Sequence, residues 1–319
     1  MRRSIVVVGS VNLDLVCTGK RIPAPGETVT GETFETFHGG KGANQAVAVG
    51  RLGFPVSMIA KVGDDQFGQR LRRGLRAATV NVRTVKIARA TASGVALITV
   101  DASGQNSITV IPGANAQLLP RDLERSLPQL RAAGMILTQL EIPMETVEYL
   151  CAVAGRFQVP LMLDPAPARA LPREMLRHVT YLTPNETETY ALCAIPPHDL
   201  NLATVAELAR TLQANGPANV IIKMGKHGAF AAGPDNLRVM VRPFKVRVVD
   251  STAAGDAFNG GLAVALMRGL GLEEAVRFAG AVGALSVTRA GAQPAMPTAV
   301  EVKKFLSGHS KKKPARTSK

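Results

Sequence analysis

The sequence contains no tryptophan and only three tyrosines, so aromatic side chains that could stack on nucleic-acid bases are scarce. It also has only three cysteines, Cys17, Cys151 and Cys193, which are odd in number and show no CxxC spacing. These absences argue against a dedicated nucleic-acid-binding protein, a disulfide framework and a zinc site. We expect reduced, mostly buried thiols and no nucleic-acid partner.

Long apolar runs are absent as well. No run approaches the roughly 18 residues of a membrane-spanning helix. The segment Ile5–Val8, which follows Arg2 and Arg3, is shorter than the roughly 7–15 apolar residues of a signal-peptide core. The sequence therefore predicts a cytoplasmic protein without a membrane partner. Its 319 residues, 46% hydrophobic, suit one large α/β domain with an insertion.

The formal net charge is +14, and five basic residues lie among the last ten: Lys311, Lys312, Lys313, Arg316 and Lys319. An excess of basic over acidic residues can indicate a protein that binds nucleic acid or one that binds small anionic substrates. We expect the tail to be solvated and disordered, with nucleic-acid binding through it as the alternative, and the remaining charge to suit a phosphorylated ligand.

The segment Asp250–Gly261 contains the small residues Ala253, Ala254 and Gly255 directly before Asp256. The alternation in Val246–Val249 predicts a strand before it, and apolar residues at helical spacing predict a helix after it. The first N–H groups of a helix lack internal partners and suit an anion. Asp256 could then accept a proton from an attacking hydroxyl, or it could simply cap the helix.

A second glycine-rich turn, Phe37–Ala46, precedes another helical pattern. Together with the Ala253–Asp256 turn, it resembles the two signatures of the ribokinase-like carbohydrate kinases. The resemblance runs in order from about Ile5 to about Pro297. Further segments resemble the same family: Gly9–Asp14, Pro25–Thr28, Gly113–Asn115, Asp164–Ala168, Thr183–Glu188 and Gly291–Pro294.

The βα rhythm from Met135 onward predicts a parallel sheet. The resemblance implies an α/β fold, a three-layer sandwich around a mostly parallel central sheet with a small β-sheet lid. The expected kinase domain comprises residues 1–11, 40–93 and 113–308, the lid 12–39 and 94–112, and the basic tail 309–319. Strands are predicted within Thr28–Phe37 and Gly94–Ile111. An exposed lid face bearing Val95, Leu97 and Val110 would predict a homodimer.

The expected sugar site begins where the strand Ile5–Gly9 ends, because open α/β sheets bind ligands beyond their strand ends. Asn12 and Asp14 lie two residues apart on an extended segment and could bind adjacent hydroxyls, or they could form a turn. The resemblance implies these sugar-binding residues: Asn12, Leu13, Asp14, Gly40, Lys41, Gly42, Ala43, Asn44, Glu141 and Asp256.

The expected ATP site follows later strands. By resemblance it comprises Asn185, Lys223, Met224, Gly225, Lys226, His227, Gly228, Gly255, Asp256 and Gly280. Ribokinases commonly have Thr where Lys223 stands. Glu188 resembles the family acid that acts on the magnesium-held phosphates through water, and it could also be an ordinary acid in the first turn of a helix.

The resemblance also implies an activating monovalent cation, potassium, beside the anion hole and held mostly by carbonyl groups. By motif position its ligands are Asp250, Thr252, Ser286, Arg289, Gly291 and Ala295. Arg289 can contribute only its carbonyl, because a guanidinium has no acceptor. Ala295 stands where Ser is often a ligand, so one oxygen is lost or replaced by water.

The implied reaction is ATP-dependent phosphorylation of D-ribose at the 5-hydroxyl, giving ribose 5-phosphate. Asp256 would take the proton, and the backbone of Ala253–Asp256 would hold the developing charge. A deoxyribokinase or a 2-keto-3-deoxygluconate kinase would keep this machinery and change the sugar contacts. A non-catalytic sugar-binding protein is the alternative from another class, although it would need no general base.

Overall fold

The computed structural model describes residues 4–197 and 201–310. Within them, no helix has the length and apolar character needed to cross a membrane. The tail predicted over 309–319 lies outside the described residues except for its first two positions, which belong to the last helix.

A nine-stranded sheet forms the centre of the fold, in the order β13-β12-β11-β10-β9-β8-β1-β4-β5. Neighbouring strands are parallel from β5 through β11, whereas β12 is antiparallel to both of its neighbours. The predicted α/β class and mostly parallel sheet are confirmed. The strands are β1 Ile5–Val8, β4 Val56–Gly63, β5 Asn81–Ala88, β8 Met135–Thr138, β9 Leu161–Leu163, β10 Tyr181–Leu182, β11 Asn219–Lys223, β12 Ala229–Ala232 and β13 Arg238–Val241.

Helices cover both faces of this sheet. Alternate residues of β1 show the division, because Ile5 and Val7 belong to one buried hydrophobic cluster and Val6 and Val8 to the other. The helices are α1 Lys41–Arg51, α2 Gln66–Ala77, α3 Pro120–Glu124, α4 Leu127–Ala132, α5 Met144–Phe157, α6 Arg173–Leu176, α7 Glu186–Cys193, α8 Leu202–Ala214, α9 Ala254–Met267, α10 Leu272–Ser286 and α11 Ala299–Ser310.

A separate four-stranded sheet has the order β3-β2-β6-β7. Its strands are β2 Asn12–Thr18, β3 Thr33–Gly39, β6 Gly94–Val100 and β7 Asn106–Ile111. The strand predicted from Thr28 therefore begins later, at Thr33. The two sheets meet where β2 follows β1 after three residues. The small sheet therefore starts at the carboxyl end of β1, an inner strand of the large sheet.

The predicted apolar lid face is wrong in one respect. Val110 pairs with Ala96, whereas Leu97 pairs with Thr109, so Val110 and Leu97 point to opposite faces. Val95 shares the face of Leu97. Both Leu97 and Val110 are nevertheless about half exposed, at 47% and 49%. Exposed apolar side chains are thus divided between the two faces of the small sheet.

The strand predicted over Val246–Val249 is also wrong. These residues have no strand partner, and Val248 and Val249 are 62% and 58% exposed. The N–H groups of Val249 and Asp250 both donate to the Val287 carbonyl at the end of α10. The alternating residues therefore lie in an extended segment outside the sheet, which connects the edge strand β13 to α9.

Candidate active site

The site forms around the end of β1, which pairs with β4 on one side and β8 on the other. Such a reversal of strand order leaves a crevice at the carboxyl ends of the strands. Ser10, just beyond β1, donates its hydroxyl to Glu141 Oε2 at 2.5 Å. The Lys41 N–H donates to the same oxygen at 3.0 Å. Glu141 therefore joins the loop after β8 to the start of α1.

Asn12 and Gly40 lie next to each other in this crevice. A Cβ on Gly40 would stand 2.7 Å from the Asn12 nitrogen, and Gly40 has a φ of 86°, so only glycine fits here without strain. The Asn12 Oδ1 accepts a hydrogen bond from Asn115 Nδ2 at 2.7 Å. Asn12 is thereby oriented by a residue 103 positions later in the chain.

Asp14 lies beyond Asn12 on β2, near two other carboxylates. The pKa of Asp14 is raised to about 7, chiefly by burial and also by the negative charges of Glu141 and Asp256. In the described part of the chain, no hydrogen bond to the Asp14 carboxylate is recorded. Asp14 thus differs from Glu141 and Asp256, which each accept two hydrogen bonds, and its carboxylate is free to accept from the hydroxyls of a ligand.

Asp256 is buried at the start of α9, with 4% exposure. Its Oδ2 accepts from Asn44 Nδ2 at 3.0 Å, and its Oδ1 accepts from Gln45 Nε2 at 3.1 Å. The side chain makes no capping hydrogen bond, so the interpretation of Asp256 as a simple helix cap is wrong. The pKa of Asp256 is raised to about 6, chiefly by burial; the charge of Lys41 opposes this rise, and that of Asp164 adds to it.

A network of buried amides fixes these two donors. Gln293 Nε2 donates to Asn44 Oδ1 at 3.2 Å, and Gln139 Nε2 donates to Gln45 Oε1 at 2.7 Å. Because the side-chain carbonyl groups of Asn44 and Gln45 accept these bonds, their NH₂ groups face Asp256. Gln45 Nε2 also donates to Asp164 Oδ2 at 3.0 Å.

The Lys41 side chain lies among carboxylates. Burial lowers its pKa, but the charges of Asp256, Asp164, Glu141 and Glu188 outweigh burial, so the net pKa of Lys41 is raised. The ammonium is therefore fully charged at neutral pH. The interpretation of Lys41 as a site residue is favoured over a solvated surface lysine.

A second lysine, Lys223, ends β11 and donates to Asp164 Oδ1 at 2.8 Å. Nearby, Asn185 and Glu188 form a capping box at the start of α7, with the Glu188 N–H donating to Asn185 Oδ1 at 2.8 Å. Glu188 is thus both the first-turn acid considered from the sequence and a residue that faces the site. Burial raises the pKa of Glu188, and Lys223 opposes that shift.

The N-terminal turn of α9 offers unpaired donors. The Ala254 N–H donates to the Ser251 carbonyl at 3.2 Å. Among the described residues, no acceptor is recorded for the N–H groups of Ala253, Gly255 and Asp256. Ala253 has a φ of 59°, which turns the chain sharply into the helix. These three groups are available to an anion.

Two cavities meet at this turn. The first, of about 420 Å³, is polar and is lined by Lys41, Asp164, Asn185, Glu186, Thr187, Glu188, Lys223, Gly225, Ser251, Ala253, Ala254, Gly255 and Asp256. The second, of about 530 Å³, is mainly apolar, and its wall includes Phe244, Val246, Phe258, Val276, Gly280 and Ala284. A Cβ on Gly280 would stand 3.8 Å from the Phe244 ring. We call them the carboxylate cavity and the apolar cavity.

Three of the expected cation ligands, Asp250, Thr252 and Gly291, are joined by hydrogen bonds. Asp250 Oδ1 accepts from the Thr252 N–H and Oδ2 from the Gly291 N–H, both at 2.8 Å. The Ser286 hydroxyl donates to the Gly283 carbonyl at 2.8 Å, and Arg289 pairs with Glu301 through its guanidinium. Ala295 is fully buried and brings no side-chain oxygen.

Some predicted residues do not present their side chains to the crevice. Leu13 and Met224 lie in the hydrophobic core, so only their backbone groups could reach a ligand. Gly42 and Ala43 are buried in the first turn of α1. Lys226 lines the apolar cavity, whereas His227 is exposed and lines neither of the two cavities.

The sequence interpretation gave no role to several residues that the structure brings to Asp256. Gln45, Asp164 and Gln293 lie inside motifs that were noted, and Gln139 directly follows β8. Polar side chains at strand ends and helix starts were the available signal. Their pairing could not be inferred, because the bonded residues are as many as 249 positions apart.

Comparison with known proteins finds relatives that match nearly the whole chain. Residues 2–299 match the model for the pfkB family of carbohydrate kinases. The chain is 43% identical over 306 residues to the ribokinase of Bacillus subtilis, covering 96% of this chain and 100% of that one. It is 37% identical over 304 residues to the deoxyribokinase of Salmonella typhi, covering 95% and 98%.

Among solved structures, the Arabidopsis thaliana ribokinase complexed with ribose and ATP superposes with a TM-score of 0.91. It is 32% identical, and the alignment covers 96% of this chain and 99% of that one. The ribokinase of Thermotoga maritima gives a TM-score of 0.87 at 38% identity, covering 96% and 99%. The match therefore extends over nearly the whole chain.

Proposed function

The chain belongs to the pfkB family of carbohydrate kinases, and from that premise we propose that it transfers the γ-phosphoryl group of ATP to the 5-hydroxyl of D-ribose. The products are ADP and ribose 5-phosphate. The relatives named ribokinase support this choice of sugar. The observation that carries the proposal is the position of Asp256, a buried carboxylate held by two amides beside free N–H groups and at the border of a large cavity.

Asp256 acts as the general base. Its pKa of about 6 leaves it ionised at neutral pH yet basic enough to accept a proton from an alcohol as the new bond forms. The hydroxyl oxygen attacks phosphorus, the bond to the ADP oxygen breaks, and the proton passes to Asp256. The N–H groups of Ala253, Gly255 and Asp256 stabilise the negative charge on the phosphoryl oxygens. Ala254 shapes this turn, since its own N–H is occupied.

The sugar lies under the small sheet. Asn12, Asp14, Glu141 and the first turn of α1 bind its hydroxyls, with Gly40–Asn44 supplying backbone groups, the Lys41 ammonium and the Asn44 amide. Hydroxyl donors would supply the hydrogen bonds that the Asp14 carboxylate lacks in the sugar-free protein. Closing the lid over the sugar would exclude water from the transfer.

The nucleotide occupies the apolar cavity, with its base against the wall that Phe244 and Gly280 of α10 form together. The segment Lys223–Gly228 lies along the phosphates, and Asn185, the N-cap residue of α7, contacts them. The free N–H groups of α9 lie where both cavities meet, which is where the γ-phosphate must be for transfer.

Magnesium would accompany the nucleotide. No cluster of three or more His, Cys, Asp or Glu suited to a metal occurs among the described residues. Mg²⁺ usually keeps several waters and is bound through one or two carboxylates and the substrate phosphates. Glu188 fits a water-mediated role, since its carboxylate lines the carboxylate cavity while bonded to Asn185. When bound, the ion would neutralise phosphate charge.

Potassium activation is part of the same proposal. The Asp250 side chain joins Thr252 to Gly291, which supports a carbonyl cage built from Asp250, Thr252, Ser286, Arg289 and Gly291. Ala295 leaves one position to water or to no ligand. We therefore expect potassium to stimulate turnover.

A homodimer formed through the small sheet is supported by the apolar residues exposed on its sugar-facing side. Ile108 and Val110 are 52% and 49% exposed there, on the face shared with Asp14. A second copy would cover them. The cytoplasmic location and the bounds of the kinase domain and lid remain predictions.

Deoxyribose is the second candidate substrate, because a deoxyribokinase is 37% identical to this chain. The test is ATP-dependent turnover of D-ribose, 2-deoxyribose and 2-keto-3-deoxygluconate, with the phosphorylated position assigned by NMR. Preferred formation of ribose 5-phosphate supports the proposal. Preference for another sugar keeps the mechanism and changes the substrate, and no turnover of any sugar favours a binding protein.

A further inference from the structure

Lys223 occupies the boundary between the carboxylate cavity and the apolar cavity. Five residues line both cavities: Lys223, Gly225, Ser251, Ala254 and Gly255. Among them, Lys223 is the one with a charged side chain. The phosphates of a nucleotide that occupies the apolar cavity would reach the carboxylate cavity and Asp256 across this boundary.

The Lys223 ammonium is held in place. It donates to Asp164 Oδ1 at 2.8 Å, and the side chains of Lys223 and Asp164 are only 12% and 3% exposed. An ammonium has three N–H donors. The bond to Asp164 is the one recorded for it within the described part of the chain, so donors remain for a ligand.

The same ammonium reaches the N-terminal turn of α9. Its Nζ lies 3.4 Å from the position that a Cβ on Gly255 would occupy. The N–H groups of Gly255 and Asp256, described above as free, belong to this turn. An anchored side-chain cation and two backbone donors therefore lie close together.

The charges around this point favour such a role. The carboxylate cavity is lined by Asp164, Glu186, Glu188 and Asp256, against only Lys41 and Lys223. Phosphate entering this space meets repulsion unless a cation accompanies it. Lys41 lines only the carboxylate cavity, where Asp256, Asp164, Glu141 and Glu188 act on it, whereas Lys223 also lines the apolar cavity.

We propose that the Lys223 ammonium, anchored by Asp164, donates hydrogen bonds to the transferring phosphoryl group together with the N–H groups of Gly255 and Asp256. This inference rests on the proposed kinase function. Lys223 exchanges no proton in the step: the phosphorus–oxygen bond to ADP breaks, the bond to the sugar oxygen forms, and Asp256 takes the proton. The alternative is that Lys223 only neutralises Asp164.

Lys223→Met removes the ammonium and keeps an apolar stem of similar length. If the ammonium contacts the phosphoryl group, kcat falls by about 10²-fold or more, and the KM for ribose stays within about threefold. Lys223→Arg, which keeps the charge, retains more of kcat than the Met variant. Unchanged kcat in Lys223→Met would overturn the proposal.

Binding provides a readout that does not depend on the sugar. Calorimetry with ADP and with the non-hydrolysable analogue AMPPNP separates the β- from the γ-phosphate. We expect Lys223→Met to weaken AMPPNP by about tenfold and to leave ADP nearly unchanged. Equal effects on both nucleotides contradict a contact with the γ-phosphate. This comparison remains valid if the preferred sugar is not ribose, so it distinguishes failure of this inference from failure of the proposed substrate.

Asp164→Asn tests the alternative, because its amide oxygen still accepts from Lys223 while the charge is gone. If Lys223 acts on phosphate, Lys223→Met costs a similar factor in kcat in the Asp164→Asn background as in the wild-type protein. If it only neutralises Asp164, the loss disappears in the double variant. Should Lys223→Met fail to fold by its melting transition, Lys223→Gln, which keeps a donor for Asp164, takes its place in every arm.

Discussion

Gln293 Nε2 donates a hydrogen bond to Asn44 Oδ1 at 3.2 Å, and this bond determines which end of the Asn44 amide faces Asp256. With its carbonyl occupied, Asn44 presents its NH₂ group to Asp256 Oδ2 at 3.0 Å. The relationship joins the loop after α10 to the first turn of α1. A residue that contacts no proposed ligand therefore orients the proposed base.

Gln293→Leu should lower kcat without unfolding the protein. Losing the outer amide lets Asn44 rotate and leaves Asp256 less well oriented, and misplacement of a reacting group costs roughly tenfold to a hundredfold in rate. We expect a small change in both KM values and an altered pH profile, since one hydrogen bond that lowers the Asp256 pKa is weakened. Gln69→Leu, an exposed glutamine on α2, is the matched control. Wild-type kcat and pH profile in Gln293→Leu would show that the amide bond has no positioning role.

Activity should fall in acid. Asp256 must be ionised to accept a proton, and its pKa is about 6, above its ordinary value of 3.8. The value of kcat/KM should therefore decline as pH drops below about 6, by about tenfold per pH unit well below that point. Steady-state rates between pH 4.5 and 9 with ribose and ATP measure this. A rate that stays level down to pH 4.5 would be inconsistent with Asp256 as the base.

Asp14→Asn should change how stability depends on pH. The folded pKa of Asp14 is about 7 against an ordinary 3.8, so the stability associated with its neutral form is fully present below about pH 3.8 and is lost as pH rises through 7. The melting temperature of the sugar-free wild-type protein should thus decline from pH 5 to pH 8 relative to that of Asp14→Asn.

The same variant should bind ribose more weakly, because a carboxylate acceptor for sugar hydroxyls is lost. Asp235→Asn, in the exposed turn between β12 and β13, controls for the general effect of removing a negative charge. If the melting temperatures of wild type and Asp14→Asn change with pH in the same way over this range, the pKa of Asp14 is not raised in the folded protein.

The lid face can be tested with paired variants. Ile108→Thr/Val110→Thr alters the face shared with Asp14, and Leu97→Thr alters the opposite face, while threonine suits a strand in each case. We expect the first variant to shift the protein from dimer towards monomer in light scattering and the second to leave the dimer intact. A wild-type monomer, or equal effects of the two variants, would refute dimerisation through the sugar-facing side.

Much of the fold could be predicted from local pattern. The strand β1 was predicted from its apolar run, and the helices α1 and α9 from helical patterns, because each element buries its own apolar residues. The alternation at Val246–Val249 misled because an extended segment bonded to the end of α10 has the same pattern as a strand. The face of the small sheet on which Val110 lies is set by its pairing with Ala96 on β6. The residue pattern of one strand contains no information about that register.

The site shows the same division. The turns at Gly39–Asn44 and Ala253–Asp256 were found by their glycines, alanines and charges, because a close backbone approach restricts residue type locally. The bonds of Gln45 to Asp256 and of Lys223 to Asp164 join residues 211 and 59 positions apart. Only the folded sheet brings them together, so the network that sets the pKa of the base required the structure.

The most direct test of the account is ribose phosphorylation by Asp256→Asn, measured in parallel with wild type and Asp235→Asn under saturating ATP and ribose with potassium present. We predict that Asp256→Asn lowers kcat by about 10²–10⁴-fold while AMPPNP and ribose still bind, because only proton acceptance is removed. Asp235→Asn should turn over as wild type does. Ribose 5-phosphate formed by Asp256→Asn at a rate near that of wild type would contradict Asp256 as the general base.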